Sequence, residues 1–374
     1  MPTITSKTLI DELKRLGYEF RMNQMDDSIE VSASAITDPI RAKIRRDLRD
    51  MGYNRYLTAA EDAYMAQAYE HSYHPIQEHL DSLVWDGIPR MVTLTSYFDE
   101  NGSQQPVFET FFNRWFIGMI AKIYDNKQNV MFVLDGPQGI GKSYFIRWLA
   151  SIFPPRFFIE KPINPNSKDD EVRLIKSVIW EVAELGATTR KTDREGLKHF
   201  ISTKYITVRK PYGRHDITKP ALASLFGTIN NEAGFLSDPT GNRRFLVVTI
   251  VDINWEYQQI INLEQLWAEM INKYKTGQET EHITPDEIVL QVNRNEKYMI
   301  DDPFLIGLQQ KCFADPTNTT DWASSNDILI FLGYDPPRRG DAMALSSAAK
   351  KLGLIKGKDR LTNKINGYYG IVLP

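Results

Sequence analysis

A glycine-rich segment that ends in lysine and serine carries the clearest chemistry in this sequence. It matches the phosphate-binding pattern G-x-x-x-x-G-K-[ST] and reads Gly136-Pro137-Gln138-Gly139-Ile140-Gly141-Lys142-Ser143. Glycines let backbone N–H groups turn towards phosphate oxygens, which a Cβ would obstruct. Lys142 would then reach the β- and γ-phosphates, and the Ser143 hydroxyl would bind Mg²⁺. The segment therefore predicts a site for ATP and Mg²⁺.

The flanking residues favour the strand–loop–helix order that such a loop needs. The apolar run 130–134 precedes it as a buried strand, and 144–150 follows it as a helix. A second apolar run, 178–182, carries Glu181 and leads to Glu184. Either glutamate could hold Mg²⁺ or activate water, or one could be a surface charge. We expect Glu181 on the metal side and Glu184, at the strand end, as the base.

Two later motifs supply further polar groups. The apolar stretch 222–229 runs into Asn230, which would contact the γ-phosphate or the attacking water, or would only form a turn. Arg243 and Arg244 stand just before another apolar run. One of them would be an arginine finger given to a neighbouring subunit, or the pair would have a structural role.

A basic segment lies between the acidic strand and the asparagine. Its alternation followed by Pro-Tyr-Gly predicts a protruding hairpin or loop. Basic and aromatic side chains at such a tip suit single-stranded DNA. The alternatives are a solvated hairpin and an arginine directed at the nucleotide. The candidate DNA contacts are Lys204, Arg209, Lys210, Tyr212 and Arg214.

Bulk properties exclude several classes of protein. The net charge of −3 over 374 residues excludes a histone-like mode of nucleic-acid binding. One cysteine, Cys312, excludes an intrachain disulfide and a cysteine-rich zinc site. A signal peptide and a membrane span are both unexpected, so we predict a soluble, cytoplasmic protein.

Periodicity divides the chain into three regions. Residues 1–125 are expected to be mostly helical, with basic residues of helix 40–49 forming either a solvated face or a phosphate contact. Residues 126–275 alternate strands and helices and predict an α/β nucleotide-binding domain with a parallel sheet. Residues 276–374 predict a small helical domain with a terminal hairpin, in winged-helix outline. The strands expected in the central region are 130–134, 157–159, 178–182, 222–229 and 245–250.

The ordered set of motifs resembles the virulence-associated E family of replication ATPases from phages and mobile islands. The resemblance covers about residues 70–303. It rests on His74-Pro75, Leu83-x-Trp85-Asp86-Gly87-x-Pro89-Arg90, the glycine-rich segment, Trp180-Glu181-x-x-Glu184-Leu185, Arg209-x-Pro211-Tyr212-Gly213-Arg214, Gly227-Thr228-x-Asn230, Asp238-Pro239-Thr240-Gly241-Asn242-Arg243-Arg244-Phe245 and Leu266-Trp267-Ala268-Glu269.

This resemblance implies a superfamily 3 helicase-like core of the AAA+ type. It also implies that Lys142 and Ser143 contact phosphate and Mg²⁺, with Asn230 as the sensor. The Glu-x-x-Glu spacing departs from the adjacent Asp-Glu of many AAA+ proteins, so the roles of Glu181 and Glu184 stay open.

The expected function is an ATP-dependent DNA helicase or translocase that assembles as a ring, with a hexamer favoured. Its partners would be single-stranded DNA, further copies of the chain and replication proteins such as a primase. Two alternatives are an ATP-loaded initiator that binds origin duplex DNA without unwinding it, and a nucleotide-gated interaction protein. The bacterial host cytoplasm is the expected location.

Overall fold

Two compact units make up the chain, one spanning Met1–Tyr298 and the other Met299–Pro374. The computed structural model describes residues 4–100, 106–164, 167–183, 185, 191–209, 216–230, 236, 242–299, 303–358 and 365–374, with backbone alone at 191–195 and 209. The three-region division expected from the sequence stays a prediction.

The first part of the larger unit combines helices with a small sheet. Its elements are α1 (Ser6–Arg15), β1 (Phe20–Asn23), β2 (Ile29–Val31), β3 (Ser34–Ala35), α2 (Asp38–Asp50), α3 (Leu57–Glu70), β4 (Ser72–Tyr73), α4 (Pro75–Asp81), α5 (Met91–Thr95), β5 (Phe98–Asp99) and α6 (Phe108–Asp125). The strand order is β3-β2-β1-β4, and β1 pairs with β4 in parallel. Helix spacing placed Leu9 and Leu13 in a local core, whereas Leu16 follows the last residue of α1 and is exposed.

The basic residues of α2 lie on its exposed side. Two of them form surface ion pairs, Arg45 with Glu61 at 2.8 Å and Arg46 with Asp47 at 3.1 Å. Pairs this exposed contribute little to stability, so they account for a solvated helix face without requiring a phosphate ligand.

The second part of the larger unit holds the sheet that organises the chain. Its elements are β6 (Met131–Asp135), α7 (Lys142–Ala150), β7 (Phe158–Glu160), α8 (Lys168–Lys176), β8 (Ile179–Val182), α9 (Lys191–Ser202), β9 (Tyr205–Arg209), β10 (Asp216–Pro220), β11 (Ser224–Ile229), β12 (Phe245–Thr249), β13 (Asp252–Ile253), α10 (Tyr257–Ile260), α11 (Leu263–Lys275) and α12 (Pro285–Glu296). Among the described residues, five parallel strands pair in the order β12-β6-β11-β8-β7. The predicted α/β class is therefore confirmed, and all five expected strands are present.

An aromatic core packs against this sheet. Helix α6 buries most of its length because Phe108, Phe112 and Trp115 meet Phe132 of β6 and Phe226 of β11 at ring-centroid distances of 5.6 to 6.0 Å. Fully buried aromatic side chains supply large apolar areas, and their edge-on contacts restrict how the layers slide. The sheet is thereby held as a rigid support for the loops at its edge.

The expected basic hairpin is present in its strand portion. β9 and β10 pair antiparallel over five residues each, and residues 210–215 between them lie outside the described residues. The base of the hairpin is anchored, because Lys219 donates to the Gln24 carbonyl at 2.7 Å and pairs with Asp27 at 2.7 Å.

The smaller unit has its own apolar core. Its elements are α13 (Pro303–Gln310), β14 (Phe313–Ala314), β15 (Trp322–Ser324), α14 (Ser325–Phe331), α15 (Arg339–Lys351), β16 (Lys356–Lys358), β17 (Asn366–Tyr369) and β18 (Ile371–Val372). β15, β17 and β16 form a small antiparallel sheet, and Leu308, Ile328 and Leu345 are buried beneath it. The expected helices and terminal hairpin are present, and α15 begins six residues before the expected start at Leu345. The winged-helix assignment stays a prediction.

None of the described helices is long and apolar enough to cross a bilayer.

Candidate functional site

The glycine-rich segment forms the connection between β6 and α7. Gly139 and Gly141 have φ values of 89° and 103°, which side-chain-bearing residues rarely adopt. Gly136 is required for another reason, since a Cβ there would lie 2.1 Å from the Ile250 carbonyl oxygen. The three glycines therefore let the backbone turn tightly at the end of β6, as the sequence predicts.

Lys142 is the first residue of α7 and is nearly buried, with 6% of its surface exposed. Its Nζ donates to the carbonyl oxygens of Gly136 and Pro137, each at 2.7 Å, and to Asn230 Oδ1 at 3.1 Å. Burial lowers the pKa of Lys142, and the charge of Asp135 partly opposes that shift. The ammonium group is thus folded back over the loop and bridges it to the strand that carries Asn230.

Glu181 is the third residue of β8, the strand next to β11, and is fully buried. Its Oε1 accepts a hydrogen bond from Ser143 Oγ, and Thr228 Oγ1 lies 3.5 Å away. Its Oε2 has no hydrogen-bond partner among the described residues. Burial raises the pKa of Glu181 to about 7, and the hydrogen bond from Ser143 opposes the shift.

The sheet order explains why these groups meet. β11 lies between β6 and β8, so its end brings Thr228 and Asn230 between the loop and Glu181. Carboxyl ends of parallel strands share one edge, which is where ligands bind in open α/β sheets. Four of the sequence-predicted residues, Lys142, Ser143, Glu181 and Asn230, are therefore in direct or bridged contact. Glu184 lies outside the described residues.

The arginine pair is placed at the other edge of the sheet. Arg244 immediately precedes β12, whose first residue, Phe245, is level with Met131 at the start of β6. The loop follows the last residue of β6, about 13 Å farther along at the rise of a strand. Arg244 Nε donates to Ser202 Oγ at 2.6 Å, and Arg243 is exposed.

The candidate DNA contacts divide between the two ends of the hairpin. Lys204 lies at the base, directly before β9, and shares a surface depression with Arg243. The side chain of Arg209, at the other end of β9, and the residues Lys210, Tyr212 and Arg214 lie outside the described residues. Lys204 and the backbone of Arg209 are therefore separated by the length of β9.

Four polar side chains next to the loop, Thr228, Asp135, Lys297 and Tyr298, were given no role from the sequence. Thr228 contacts Glu181, as described above. Asp135 is the last residue of β6 and is fully buried. Its carboxylate accepts a hydrogen bond from the Tyr298 hydroxyl at 2.7 Å and forms an ion pair with Lys297 Nζ at 3.2 Å. The only sequence signal for Asp135 is its position just before Gly136, because its partners are more than 160 residues away.

Two other residues from the motifs quoted in the sequence, Glu269 and His74, cap helices. Glu269 of α11 is fully buried, accepts from the backbone N–H groups of Arg90 and Met91, and pairs with Lys273 at 2.7 Å. It thereby caps α5, which would otherwise begin with unpaired N–H groups. His74 caps α4 in the same way, since its Nδ1 accepts from Gln77 N at 3.2 Å.

The fold and this site define the class of protein. It is a mixed α/β protein with a parallel sheet, a glycine-rich strand-to-helix loop and a buried carboxylate beside that loop. The family model for the virulence-associated protein E-like domain matches residues 80–300. The chain belongs to the virulence-associated protein E-like family, which confirms the resemblance recognised in its motifs.

Solved structures of similar fold include the C-terminal region of NrS-1 in its apo form. Two of these match with TM-scores of 0.52 and 0.50 at 14% identity, each over 99% of this chain and 100% of the other. At this identity the likeness concerns the fold. No curated protein sequence matches the chain.

Proposed function

We propose that this protein is an ATP hydrolase of the AAA+, superfamily 3-like type that translocates on single-stranded DNA during replication of a phage or mobile element. The observation that carries the proposal is the convergence of Lys142, Ser143, Glu181 and Asn230 on one loop. These are the groups that phosphoryl transfer requires: a lysine for the phosphates, a hydroxyl and a carboxylate for Mg²⁺, and an amide for the γ-phosphate or water.

The donor set fits Mg²⁺. Ser143 Oγ and Glu181 Oε1 are in contact, and the unpartnered, buried Oε2 of Glu181 is a hard oxygen of the kind that Mg²⁺ prefers. Ser143 and Glu181 would hold the metal, which when bound would supply positive charge to offset that of the phosphates. Metal binding would require the ionised carboxylate, so loading should release a proton from Glu181 near neutral pH.

Lys142 has a second task in this proposal. Its ammonium group now bonds to two carbonyl groups of its own loop and to Asn230. A phosphate chain in the loop would offer a charge-assisted partner in exchange for these neutral ones. The Asn230 amide would then be released, so that its Oδ1 could accept a hydrogen bond from water or its Nδ2 could donate one to a phosphate. This exchange would link occupancy of the loop to the strand behind it.

The position of the arginines favours hydrolysis between subunits. The backbone of Arg243 and Arg244 lies at the start of β12, at the end of the sheet opposite the loop. Their side chains therefore cannot reach a nucleotide held by their own chain without remodelling the sheet. An exposed Arg243 could instead reach the loop of a neighbouring copy in a ring. The proposed site is therefore composite.

Mixing two inactive variants tests this arrangement. Arg243→Ala and Lys142→Ala should each abolish turnover alone, whereas a mixture should recover part of the wild-type ATPase rate. Recovery is expected because some interfaces join an intact loop to an intact arginine. The ATPase rate should be measured as a function of the mixing ratio. The control replaces Arg243→Ala by Lys14→Ala, a change on the exposed face of α1. No recovery at any ratio, with mixed assembly verified, would refute the trans arginine.

DNA translocation is tested by ATPase rate and by mass together. Single-stranded DNA should stimulate turnover several-fold and shift the mass from light scattering towards a ring, because hydrolysis and channel assembly would be coupled. The double variant Lys210→Ala with Arg214→Ala should lose the stimulation and flatten the salt dependence of DNA binding. Lys7→Ala with Lys14→Ala on α1 removes the same charge and should lose neither. Monomeric mass with DNA-independent turnover would contradict translocation.

A second candidate function is supported by the smaller unit. The exposed side of α15 is basic at both ends, with Met343 and small residues between them, and Lys356 and Lys358 are exposed on β16. A winged-helix domain that reads duplex DNA would present such a face. Selective duplex binding without strand separation, in the same DNA assays, would favour an initiator over a translocase.

A further inference from the structure

Two aromatic side chains stand in the open beside the glycine-rich loop. Tyr144 of α7 and Trp255 stack with ring centroids 5.4 Å apart and planes inclined by 14°. They are 46% and 50% exposed. A contiguous exposed apolar surface often marks a binding site, because a ligand that covers it removes apolar area from water.

Trp255 is attached to the loop itself. Its indole Nε1 donates to the Ile140 carbonyl at 2.9 Å, and a Cβ at Gly141 would lie 2.8 Å from that nitrogen. The ring therefore lies directly on the turn that precedes Lys142. Gly141 is required there both for its φ of 103° and for this close approach.

The segment that carries Trp255 is well anchored. β13 pairs with β5 just before it, and Asn254 N donates to the Tyr97 carbonyl at 2.9 Å. Tyr257, two residues later, is 1% exposed and packs edge-on against Trp148 at 4.9 Å. The exposure of Trp255 thus results from a fixed backbone that presents the ring, and the core beneath it is complete.

Trp255 comes to the loop from a different strand of the sheet than the acid and the amide do. Sheet order puts β11 and β8, which position Asn230 and Glu181, on one side of β6, and β12 on the other. Trp255 follows β12 and β13 along the chain. Because Lys142, Asn230 and Glu181 would mark the γ-phosphate end, the nucleoside end of a bound nucleotide would extend away from them, and the exposed rings of Tyr144 and Trp255 flank the loop.

We propose that Trp255 and Tyr144 form a stacking surface for the nucleotide base. This inference rests on the proposed ATP site and adds to it the residues that hold the nucleoside. Every base has a π face that stacks on an aromatic ring, so such a surface gives affinity with little discrimination between bases. One indole surface should account for roughly ten- to a hundredfold in affinity.

The test compares a ligand that has a base with one that lacks it. Calorimetric titration of the full chain with ADP and with inorganic tripolyphosphate should show that Trp255→Ala weakens only the binding of ADP. Affinity for ADP should fall roughly ten- to a hundredfold, while affinity for tripolyphosphate stays within about threefold. Trp255→Phe should regain most of the loss, and Tyr69→Ala, an exposed tyrosine on α3, should change neither.

Three outcomes would overturn the stacking surface. Equal weakening of both ligands would make Trp255 a brace for the loop, through its bond to Ile140. Unchanged ADP affinity would leave no role for the ring in nucleotide binding, and a changed mass by light scattering would then assign it to subunit contact. If wild-type protein binds neither ligand, the nucleotide site itself is wrong, which the wild-type titration alone reveals.

Discussion

Replacing Lys142 with alanine should reduce ATP hydrolysis by at least about a hundredfold, the usual cost of losing one transition-state donor in a closed site. In the proposed site Lys142 would be the cation that contacts the phosphates, and it is nearly buried beside Asn230. The steady-state rate of phosphate release, measured at saturating ATP and Mg²⁺, reports the effect.

The fold should survive this change. The turn conformation depends on the backbone of Gly139 and Gly141, so the lysine side chain is not needed to form the loop. The far-ultraviolet circular dichroism spectrum should match that of the wild type. Lys176→Ala, an exposed lysine at the end of α8, should keep the full rate. Normal turnover by a purified Lys142→Ala protein would remove the basis for the ATPase assignment.

Replacing Glu181 with glutamine should have two effects of opposite direction. Hydrolysis should fall at least about a hundredfold, because the amide cannot supply the negative charge that Mg²⁺ requires. Resistance to unfolding should rise at pH 8 without Mg²⁺, because the variant no longer buries an ionised carboxylate. Phosphate release and the thermal midpoint, each at pH 5 and pH 8, measure the two effects.

The pH dependence follows from the raised pKa of Glu181. Its pKa is about 7 in the folded chain, against an ordinary value of 4.5, so the folded state binds the proton more tightly. The associated stability is fully present below about pH 4.5 and is lost as the pH rises through 7. Relative to wild type, Glu181→Gln should therefore gain roughly 1–3 kcal/mol between pH 5 and pH 8.

The matched control is Glu171→Gln, an exposed glutamate on α8. It should alter neither the rate nor the pH dependence of the midpoint. Saturating Mg²⁺ should reduce the difference at pH 8, because the metal would stabilise the ionised carboxylate of the wild type. A difference between Glu181→Gln and wild type that does not change from pH 5 to pH 8 would contradict the raised pKa.

Sequence patterns were sufficient for local elements of the central sheet. The run 130–134 is continuously apolar and 245–250 is apolar except for Thr249, as expected of strands buried on both faces, and both are strands to within one residue. Leu263–Tyr274 likewise became α11, with Asn262 as its cap. The four-stranded sheet near the N-terminus was not anticipated, because its strands of two to four residues carry little periodic signal.

The sequence predicted which residues belong to the candidate site, and it predicted only some of the contacts between them. Lys142 and Ser143 follow from one contiguous motif, whose spacing is fixed by the loop that holds phosphate. The contact of Ser143 with Glu181 depends on β8 lying two strands away from β6, with β11 between them. Strand order depends on packing across the whole chain, and no local pattern encodes it.

The sequence by itself determined the glycine-rich strand-to-helix loop, the family and the α/β class, because each depends on residues close together in the chain or on their fixed order. The tertiary structure alone decided that Arg243 and Arg244 start at the far edge of the sheet, that Glu181 is buried enough to hold a proton near pH 7, and that Trp255 covers the loop. These properties arise from burial and from contacts between distant segments, and both exist only once the chain has folded.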